Sequence, residues 1–389
     1  MEKGGLNVKR IAVLGCGLVG STIVRQLASD RELVVTAVDA SDERLASLGN
    51  MDSVILRKAD LSQAGSITKL AKDFDVLVGA LPGWMGFRAL EEVIEAGKNY
   101  CDISFMPEDA EKLDHLAKQK GVSVVVDCGV APGLANLMVG KSHLELERTD
   151  SVLIMVGGLP RERILPWEYK APFSPSDVIE EYTRPARQIR EGKMVVLPPL
   201  SEVELVDVPK VGTLESFNTD GLRSLLTSIR CSEMREKTLR YPGHAAKVKL
   251  LSDSGFFSQE TIQAGGVKIR PLDLSSRLLF DQWSLGNAEA EFTYMKVEVK
   301  GQGDRGYVCH AYELFDETDL ETGTSSMART TGFPCAFIAK RIALGDLARP
   351  GVSAPESLVH DSVLFNELIG FLRSKGIAIE HDIRPVDEP

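Results

Sequence analysis

A G-x-G-x-x-G run at residues 15–20 is the feature that most limits what this chain can fold into. The apolar stretch 11–14 comes directly before the run, and residues 21–28, which favour a helix, come directly after it. Strand, glycine turn and helix in this order form the first unit of a dinucleotide-binding domain. We therefore expect a dinucleotide site at this turn. The alternative is an ordinary turn that binds nothing.

The glycines of the run have separate tasks in such a site. Gly15 permits the tight turn, Gly17 lets the backbone approach a pyrophosphate, and Gly20 lets the helix pack closely on the strand. Leu18 and Val19 lead into the helix, whose N-terminus faces the phosphate charge. We predict Gly15, Gly17, Leu18 and Val19 as cofactor contacts.

An acidic residue at the end of the second strand sets the expected cofactor. The apolar stretch 33–38 ends at Asp39, close to the spacing of about 20 residues expected for a ribose-binding acid. Its carboxylate can accept hydrogen bonds from ribose hydroxyls and would repel a 2′-phosphate. Ala40 and Ser41 supply no compensating cation, and Arg44 is a weak contrary sign. We therefore predict NAD rather than NADP.

Composition excludes several classes of function and partner. The 389 residues carry a net charge of -11, which argues against nucleic acid and anionic membranes as partners. We see no apolar run near the roughly 18 residues of a membrane span, and residues 1–10 do not begin a secretory signal. The six cysteines form no C-x-x-C pair, so we expect reduced thiols in the cytoplasm and no metal site.

The order of elements predicts an α/β fold. In the first third, six apolar strands alternate with helices, which indicates a doubly wound parallel Rossmann sheet over residues 1–145. Residues 146–325 read as an inserted α+β domain for substrate binding and oligomerisation, with a long hairpin of strands 291–300 and 307–315. In residues 326–389 we predict helices at 333–344 and about 364–372 that return to the Rossmann domain.

Ligands of such sheets bind beyond the carboxyl ends of the strands. Residues after the third strand would lie near the adenine, and those after the fourth would run under the pyrophosphate and the nicotinamide ribose. Asp102 follows the fifth strand and Val130 closes the row. The predicted cofactor contacts at these strand ends are Asp60, Leu61, Ala80, Leu81, Pro82, Asp102 and Val130.

Two polar segments of the middle domain are candidates for substrate binding. In residues 238–244, Arg240 could hold a carboxylate in a bidentate manner and His244 could accept a proton, with Tyr241 between them. Residues 215–223 crowd polar groups before a helix. The alternatives are a surface turn with solvated charges for the first and a capped helix start for the second.

Eight segments, in order and spacing, resemble the saccharopine reductase and lysine dehydrogenase family over nearly the whole chain. They are GCGLVG at 15–20, GALPGW at 79–84, YCDISF at 100–105, DCGVAPGLANLMVG at 127–140, GGLP at 157–160, SFNTDGLRSLL at 216–226, TLRYPGH at 238–244 and TTGFPCAFIAK at 330–340. The resemblance implies a Rossmann domain with an inserted α+β domain, an active site between the two, and a homo-oligomer.

Within that family the chain is most similar to the L-lysine 6-dehydrogenases. Saccharopine reductases typically place a tyrosine, an acid and a cysteine where this chain has Phe105, Ala131 and Val156. The resemblance therefore implies NAD-dependent oxidative deamination of L-lysine at C6. The imine would be hydrolysed to a semialdehyde and ammonia, and the semialdehyde would cyclise to piperideine-6-carboxylate.

The resemblance also implies roles for the candidate residues. Asp102 would face the ε-amine as proton acceptor, and Arg240 would bind the substrate carboxylate, with Tyr241 and His244 shaping that end. The candidates for the α-amino group are Asn218, Thr219 and Asp220. Alternatively, Asp102 caps a loop and His244 is a satisfied turn histidine. Two other functions stay open: a saccharopine reductase-type enzyme, and a catalytically silent NAD-binding regulatory protein.

Overall fold

The structure, a computed structural model, describes residues 8–286, 289–304 and 306–388. The chain divides into two units. The first contains the chain up to Leu134 together with Ala328–Lys375, and the second contains Ala135–Met327 and the chain from Gly376 onward. Each unit is built on its own large sheet.

A seven-stranded, all-parallel sheet forms the centre of the first unit. Its strands are β1 (Lys9–Leu14), β2 (Leu33–Asp39), β3 (Val54–Lys58), β4 (Val76–Gly79), β5 (Asn99–Asp102), β6 (Ser123–Val125) and β17 (Gly351–Ser353). Their order across the sheet is β17-β6-β5-β4-β1-β2-β3. The predicted doubly wound sheet is confirmed, and β17 is a seventh strand that the sequence analysis missed.

Helices connect these strands and continue in the C-terminal part of the chain. They are α1 (Leu18–Ala28), α2 (Asp42–Ala46), α3 (Ser66–Ala71), α4 (Gly83–Glu95), α5 (Asp114–Lys120), α11 (Ser326–Leu344) and α12 (Ser362–Ser374). The helix α6 (Leu134–Glu145) follows β6 in the chain and belongs, except for Leu134, to the second unit. The predicted start of α11 at residue 333 is wrong by seven residues, because the helix already begins in the more polar segment 326–332 and Pro334 lies inside it.

The two central strands of this sheet, β1 and β4, contain continuous apolar runs. In β4 every residue is buried, and residues 11–14 of β1 have no exposed surface. Such continuous apolar runs are typical of parallel strands covered on both faces. The strand order reverses between β1 and β4, so the crevice expected for a ligand opens where these two strands end, after Leu14 and Gly79.

A nine-stranded mixed sheet forms the second unit. Its strands are β7 (Arg148–Pro160), β8 (Ala186–Arg190), β9 (Lys193–Leu197), β10 (Glu204–Val208), β11 (Gly212–Asn218), β12 (Glu233–Arg240), β15 (Glu291–Gly303), β16 (Gly306–Glu317) and β18 (Ile379–Pro385). The predicted hairpin is β15 with β16, and it is confirmed. β7 and β12 pair in parallel, and the other pairs are antiparallel.

Helices and a small hairpin complete the second unit. They are α7 (Pro175–Thr183), α8 (Leu225–Ser228), α9 (His244–Asp253), α10 (Pro271–Trp283), β13 (Ile262–Ala264) and β14 (Val267–Ile269). An aromatic core packs between these helices and the sheet, and it includes the fully buried Tyr182, Phe217 and Trp283. Among the described residues, no helix is both long and apolar enough to span a membrane.

Candidate functional site

The glycine turn lies where the strand order reverses. Gly15 has a φ of +95°, and a β-carbon there would overlap the carbonyl oxygen of Ala80, the residue that follows β4. A β-carbon on Gly20 would likewise overlap the Gly15 carbonyl. Gly17 differs, because a β-carbon there would meet no atom within 4 Å. Two glycines therefore permit close packing, and the third leaves the open side of the turn uncovered.

That open side is the N-terminus of α1. Gly17 is the N-cap residue and has no side chain with which to cap the helix. Leu18 and Val19 form the first turn, and Leu18 is exposed. Uncapped helix amides beside a glycine turn fit the pyrophosphate of a dinucleotide. The predicted phosphate contacts therefore lie together at the end of β1.

Asp39 is attached to this turn. Its carboxylate accepts hydrogen bonds of 2.8 Å from the backbone amides of Cys16 and Ser41, and the residue is 6% exposed. An Arg44 guanidinium nitrogen lies 3.8 Å away on a largely exposed side chain. Burial raises the pKa of the Cys16 thiol to about 12, so this thiol stays protonated and acts as packing.

The strand ends beside the turn differ in how open they are. Asp60 is exposed and accepts hydrogen bonds from the backbone amide and hydroxyl of Ser62, which lower its pKa. Leu61 turns its side chain into the core, and its carbonyl accepts a hydrogen bond from Arg88. The adenine contacts of Asp60 and Leu61 stay predictions.

The segment after β4 runs along the glycine turn. The Ala80 amide donates a 2.9 Å hydrogen bond to the Leu14 carbonyl, which joins the ends of β4 and β1. Leu81 is buried and Pro82 is the N-cap residue of α4. Val130 is buried in the loop after β6. The predicted cofactor contacts of this row thus include both half-exposed and buried residues.

Asp102 ends β5 and has no exposed surface. Its Oδ1 atom accepts hydrogen bonds from the Ser104 hydroxyl at 2.8 Å and the Tyr100 hydroxyl at 3.4 Å. Its Oδ2 atom is buried and has no hydrogen-bond partner among the described residues. Burial raises the pKa of Asp102 to about 7. This carboxyl can therefore exchange a proton near neutral pH, with one oxygen available to do so.

Glycine makes room for this carboxyl. A β-carbon on Gly79 of the neighbouring strand would overlap both the Asp102 Oδ1 atom and the Tyr100 hydroxyl. Cys101, the residue before Asp102, lies with its sulfur 3.6 Å from that of Cys335. Burial raises the pKa of Cys101 well above its usual value, so this thiol is inert packing.

Arg240 is the centre of a buried network in the second unit. Its guanidinium donates hydrogen bonds of 2.9 Å to the Tyr182 hydroxyl and to the Glu181 carboxylate. It also lies 4.5 Å from the centre of the Tyr169 ring. Tyr169 lines a cavity of about 170 Å³, together with Trp167 and residues on either side. The guanidinium is thus held in one orientation by an anion and two aromatic rings.

His244 lies inside the same network. Its Nε2 atom is 2.9 Å from the Tyr182 hydroxyl, and its Nδ1 atom is 3.3 Å from the Trp167 carbonyl. Burial lowers the pKa of His244 to about 3, so the ring is neutral. Tyr241 donates a hydrogen bond to the Pro160 carbonyl. The geometry favours orientation of Tyr182 by His244 over proton exchange with a ligand, and the catalytic role of His244 stays a prediction.

The three residues predicted to bind an α-amino group already have protein partners. Asp220 forms a bidentate ion pair with Arg187 at 2.9 Å. The Asn218 amide bonds to Gln188 and Ser201, and the Thr219 hydroxyl bonds to Glu236 and Thr238. A ligand amine would have to share or replace these partners. Their substrate contacts therefore stay predictions.

Sequence reasoning assigned no role to Glu181 or Glu236. Glu236 is buried in β12 and accepts hydrogen bonds from the Thr219 hydroxyl and the Gly221 amide. The sequence signal that could have identified Glu236 was the two-residue period of a strand. By this period, Glu236, Thr238 and Arg240 lie on the same face of β12. Among the described residues, no group of three His, Cys, Asp or Glu side chains could hold a metal ion.

Two protein families match most of the chain. Residues 129–377 match the Saccharopine dehydrogenase C-terminal domain. Residues 11–125 match the Saccharopine dehydrogenase NADP binding domain. The two matches meet shortly after β6, so the nucleotide-binding part matches one family and the remainder matches the other.

Curated relatives carry related names. The Saccharopine dehydrogenase [NADP(+), L-glutamate-forming] of Schizosaccharomyces pombe is 21% identical over 97% of this chain and 99% of that protein. The Alpha-aminoadipic semialdehyde synthase of Arabidopsis thaliana is 24% identical over 60% of this chain and 23% of that protein. The mouse mitochondrial protein of that name is 23% identical over 68% of this chain and 30% of its own length. The chain thus spans less than a third of these two longer relatives.

A solved structure has the same fold. Apo histidine-tagged saccharopine dehydrogenase (L-Glu forming) from Saccharomyces cerevisiae superimposes with a TM-score of 0.78 at 19% sequence identity. The superposition covers 97% of this chain and 100% of that chain. At this identity the likeness shows the fold alone.

Proposed function

Since the chain belongs to the saccharopine dehydrogenase family, we propose that it is an NAD-dependent oxidoreductase that oxidises L-lysine at C6. A hydride leaves C6, the imine takes up water, and the semialdehyde and ammonia result. Bound NAD supplies the acceptor for that hydride. The semialdehyde then cyclises to piperideine-6-carboxylate.

The observation that carries the proposal is the buried carboxyl of Asp102. An amine must lose its proton before a hydride can leave the adjacent carbon, so the site needs an acceptor that works near neutral pH. Burial raises the pKa of Asp102 to about 7, and its Oδ2 atom has no partner among the described residues. Asp102 also ends a strand of the nucleotide-binding sheet, where the reactive end of a bound dinucleotide is expected.

Asp39 supports NAD as the cofactor. Two backbone amides hold its carboxylate at the end of β2, where the ribose of a dinucleotide is expected. A 2′-phosphate would bring negative charge against this buried carboxylate. The names of several relatives contain NADP(+), and Arg44 lies 3.8 Å from Asp39. We give Asp39 the greater weight because its carboxylate is fixed, whereas the Arg44 side chain is largely exposed.

Three apolar residues support lysine over saccharopine. Phe105, Ala131 and Val156 stand where saccharopine reductases typically have polar side chains, and Val156 is buried. Saccharopine carries additional carboxylates, whose burial against apolar side chains is costly. Free lysine has one carboxylate, and Arg240 is the residue that we assign to it.

A saccharopine dehydrogenase activity is the second candidate. The match to the Schizosaccharomyces pombe protein over 97% of this chain favours it. Steady-state assays of lysine and saccharopine, each with NAD and with NADP, separate the two. Our proposal expects reduction of NAD by lysine with release of ammonia. Reduction only with saccharopine would contradict it.

A further inference from the structure

A row of four oxygen atoms joins the buried carboxyl group of Glu236 to the half-buried carboxyl group of Glu181 in the second unit. The Glu236 Oε2 atom lies 2.7 Å from the Thr219 hydroxyl, and this hydroxyl lies 2.9 Å from the hydroxyl of Thr238. The Thr238 hydroxyl in turn makes a short contact with the Oε1 atom of Glu181. Glu236, Thr219 and Thr238 are all at most 3% exposed. The row is therefore a continuous chain of hydrogen bonds that is buried at these three residues and ends at Glu181, whose side chain is 17% exposed.

The number of hydrogen atoms in this row is limited. Three oxygen–oxygen contacts need three hydrogens, and the two threonine hydroxyls supply one each. With both carboxyls ionised, the Thr219 hydroxyl would donate to Glu236 and the Thr238 hydroxyl would donate to Glu181. No hydrogen would then lie between the two threonine oxygens, although they are in hydrogen-bond contact. One shared carboxyl proton removes this conflict. It also lets all donors of the row point the same way.

The charges around the row decide where the proton rests. The Arg240 guanidinium donates to Glu181 at 2.9 Å, which stabilises Glu181 as an anion. Glu236 forms no ion pair among the described residues, and the charged groups that raise its pKa are Glu181 on α7 and Asp220 after β11. Asp220 is paired with Arg187. Burial raises the pKa of Glu236 to about 8, which agrees with a protonated Glu236 at neutral pH.

We propose that the Glu236–Thr219–Thr238–Glu181 row is a proton relay that neutralises Glu181 when a substrate carboxylate binds Arg240. The Glu236 O–H bond breaks as its proton passes to Thr219, the Thr219 hydrogen passes to Thr238, and the Thr238 hydrogen passes to Glu181. Glu236 ends as a carboxylate and Glu181 as an acid, with no change in total charge or in oxidation state. This inference rests on the proposed role of Arg240 in binding a lysine carboxylate.

The relay solves a problem of charge at Arg240. An incoming carboxylate would lie beside the Glu181 anion, and two close anions repel each other at this half-buried position, where water screens them less than at the surface. When the proton moves to Glu181, this carboxyl becomes neutral and no longer competes with the substrate carboxylate for the Arg240 guanidinium. The negative charge then lies on Glu236. There the Gly221 amide, 3.0 Å from Oε2, helps to hold the charge. A β-carbon on Gly221 would come within 2.6 Å of the Glu236 carboxyl carbon, so glycine permits this approach.

The shared proton is testable without any assay of turnover. Infrared difference spectra of the full chain, wild type minus Glu236→Gln, should show the carbonyl band of a protonated carboxylic acid at pH 7. The band should shift in D₂O. When lysine is bound, a protonated-acid band should remain but at a different frequency, because the proton then lies on Glu181. Absence of a protonated-acid band at pH 7 would overturn the relay, whatever the enzyme's substrate is.

Kinetics test the coupling to Arg240. In Glu236→Gln the amide donates into the row permanently and holds Glu181 as an anion, and Thr238→Val removes a link of the row. We expect each change to raise the lysine KM about tenfold with the NAD KM unchanged, and Thr238→Ser, which keeps the hydroxyl, to retain the wild-type lysine KM. Glu233→Gln, a half-buried carboxyl at the start of β12, is the matched control.

The outcomes separate this inference from the proposed function. If wild type oxidises lysine and both relay variants have the wild-type lysine KM, the relay is wrong and the function stands. If wild type does not oxidise lysine, the proposed function fails, and the infrared band still decides whether the proton is shared. Thermal unfolding of each variant shows whether it still folds. If the threonine variant does not fold, the test rests on Glu236→Gln, which keeps the size of the side chain.

Discussion

The backbone amide of Cys16 donates a 2.8 Å hydrogen bond to the carboxylate of Asp39. This bond ties the glycine turn after β1 to the acidic residue that ends β2. The carboxylate is fixed a second time by the Ser41 amide, so its position does not depend on a flexible side-chain partner. The phosphate-binding turn and the ribose-binding acid of the expected cofactor site are therefore joined directly by a hydrogen bond.

Removing the charge of Asp39 should change the choice of cofactor. Asp39→Asn keeps an oxygen for one backbone amide but no longer repels a 2′-phosphate. We expect the ratio of kcat/KM for NAD to that for NADP to fall at least about tenfold, since hydrogen bonds to charged groups contribute roughly 1.5–3 kcal/mol. Asp42→Asn is the control, because Asp42 is exposed and pairs with Lys58 on the surface. An unchanged ratio in Asp39→Asn would remove Asp39 from cofactor selection.

Two glycines of one turn should respond differently to alanine. Gly15→Ala places a β-carbon against the Ala80 carbonyl at a positive φ, so we expect a loss of about 1–3 kcal/mol of stability, measured by denaturant unfolding. Gly17→Ala meets open space, so the expected loss is only the roughly 1 kcal/mol or less by which alanine is the poorer N-cap residue. Calorimetry should instead show weaker NAD binding by Gly17→Ala. Equal NAD binding by Gly17→Ala and wild type would place the pyrophosphate elsewhere.

Asp102→Asn should remove the proton acceptor. We expect kcat to fall about 100- to 10,000-fold, with the NAD KM little changed. Because the acceptor must be ionised, wild-type kcat should decline as the pH drops below about 7, the value to which burial raises the Asp102 pKa. The residual activity of the variant should lack this decline. A full pH profile of both proteins makes the comparison.

The same variant has a consequence for stability. The folded pKa of Asp102 lies above that of the unfolded chain, so the native state binds the proton more tightly, and ionisation destabilises the fold as the pH rises. The destabilisation begins near the unfolded pKa of about 4 and is complete above about 7. Asp102→Asn should therefore gain stability relative to wild type from pH 5 to pH 8. A difference independent of pH would show that Asp102 titrates normally.

Arg240→Lys should separate substrate binding from cofactor binding. Lysine keeps the charge but loses the planar pair of donors, so we expect the KM for lysine to rise about tenfold or more. The KM for NAD should stay within about twofold of the wild-type value. Arg235→Lys, at a half-buried position of the same strand, is the matched control. Equal increases of both KM values in Arg240→Lys would remove Arg240 from the substrate role.

Local signals predicted most of the nucleotide-binding sheet. Residues 11–14 of β1 and the whole of β4 are uninterrupted apolar runs with glycine at or just after their ends, and such runs are visible without knowledge of the pairing strands. β17 has only three residues, and its pairing with β6 depends on chain that lies far away in sequence. In α11 the apolar run that predicted the helix begins at residue 333, seven residues after the helix itself begins.

The same contrast holds for the candidate site. The positions of Asp39 and Asp102 follow from a general rule about the carboxyl ends of parallel strands. The partners in the second unit do not follow from any local rule. Asp220 pairs with Arg187, and Arg240 pairs with Glu181, each through contacts set by tertiary packing. A polar cluster in sequence could therefore be recognised, but not which of its groups already had partners.

The central claim is that the hydride leaves C6 of lysine. Lysine deuterated at both C6 positions, turned over with NAD, tests it most directly by mass spectrometry of the reduced cofactor. We predict one deuterium in each reduced NAD, and none when lysine is deuterated at C2 instead. Deuterium transfer from C2, or unlabelled cofactor from the C6-labelled substrate, would contradict the account.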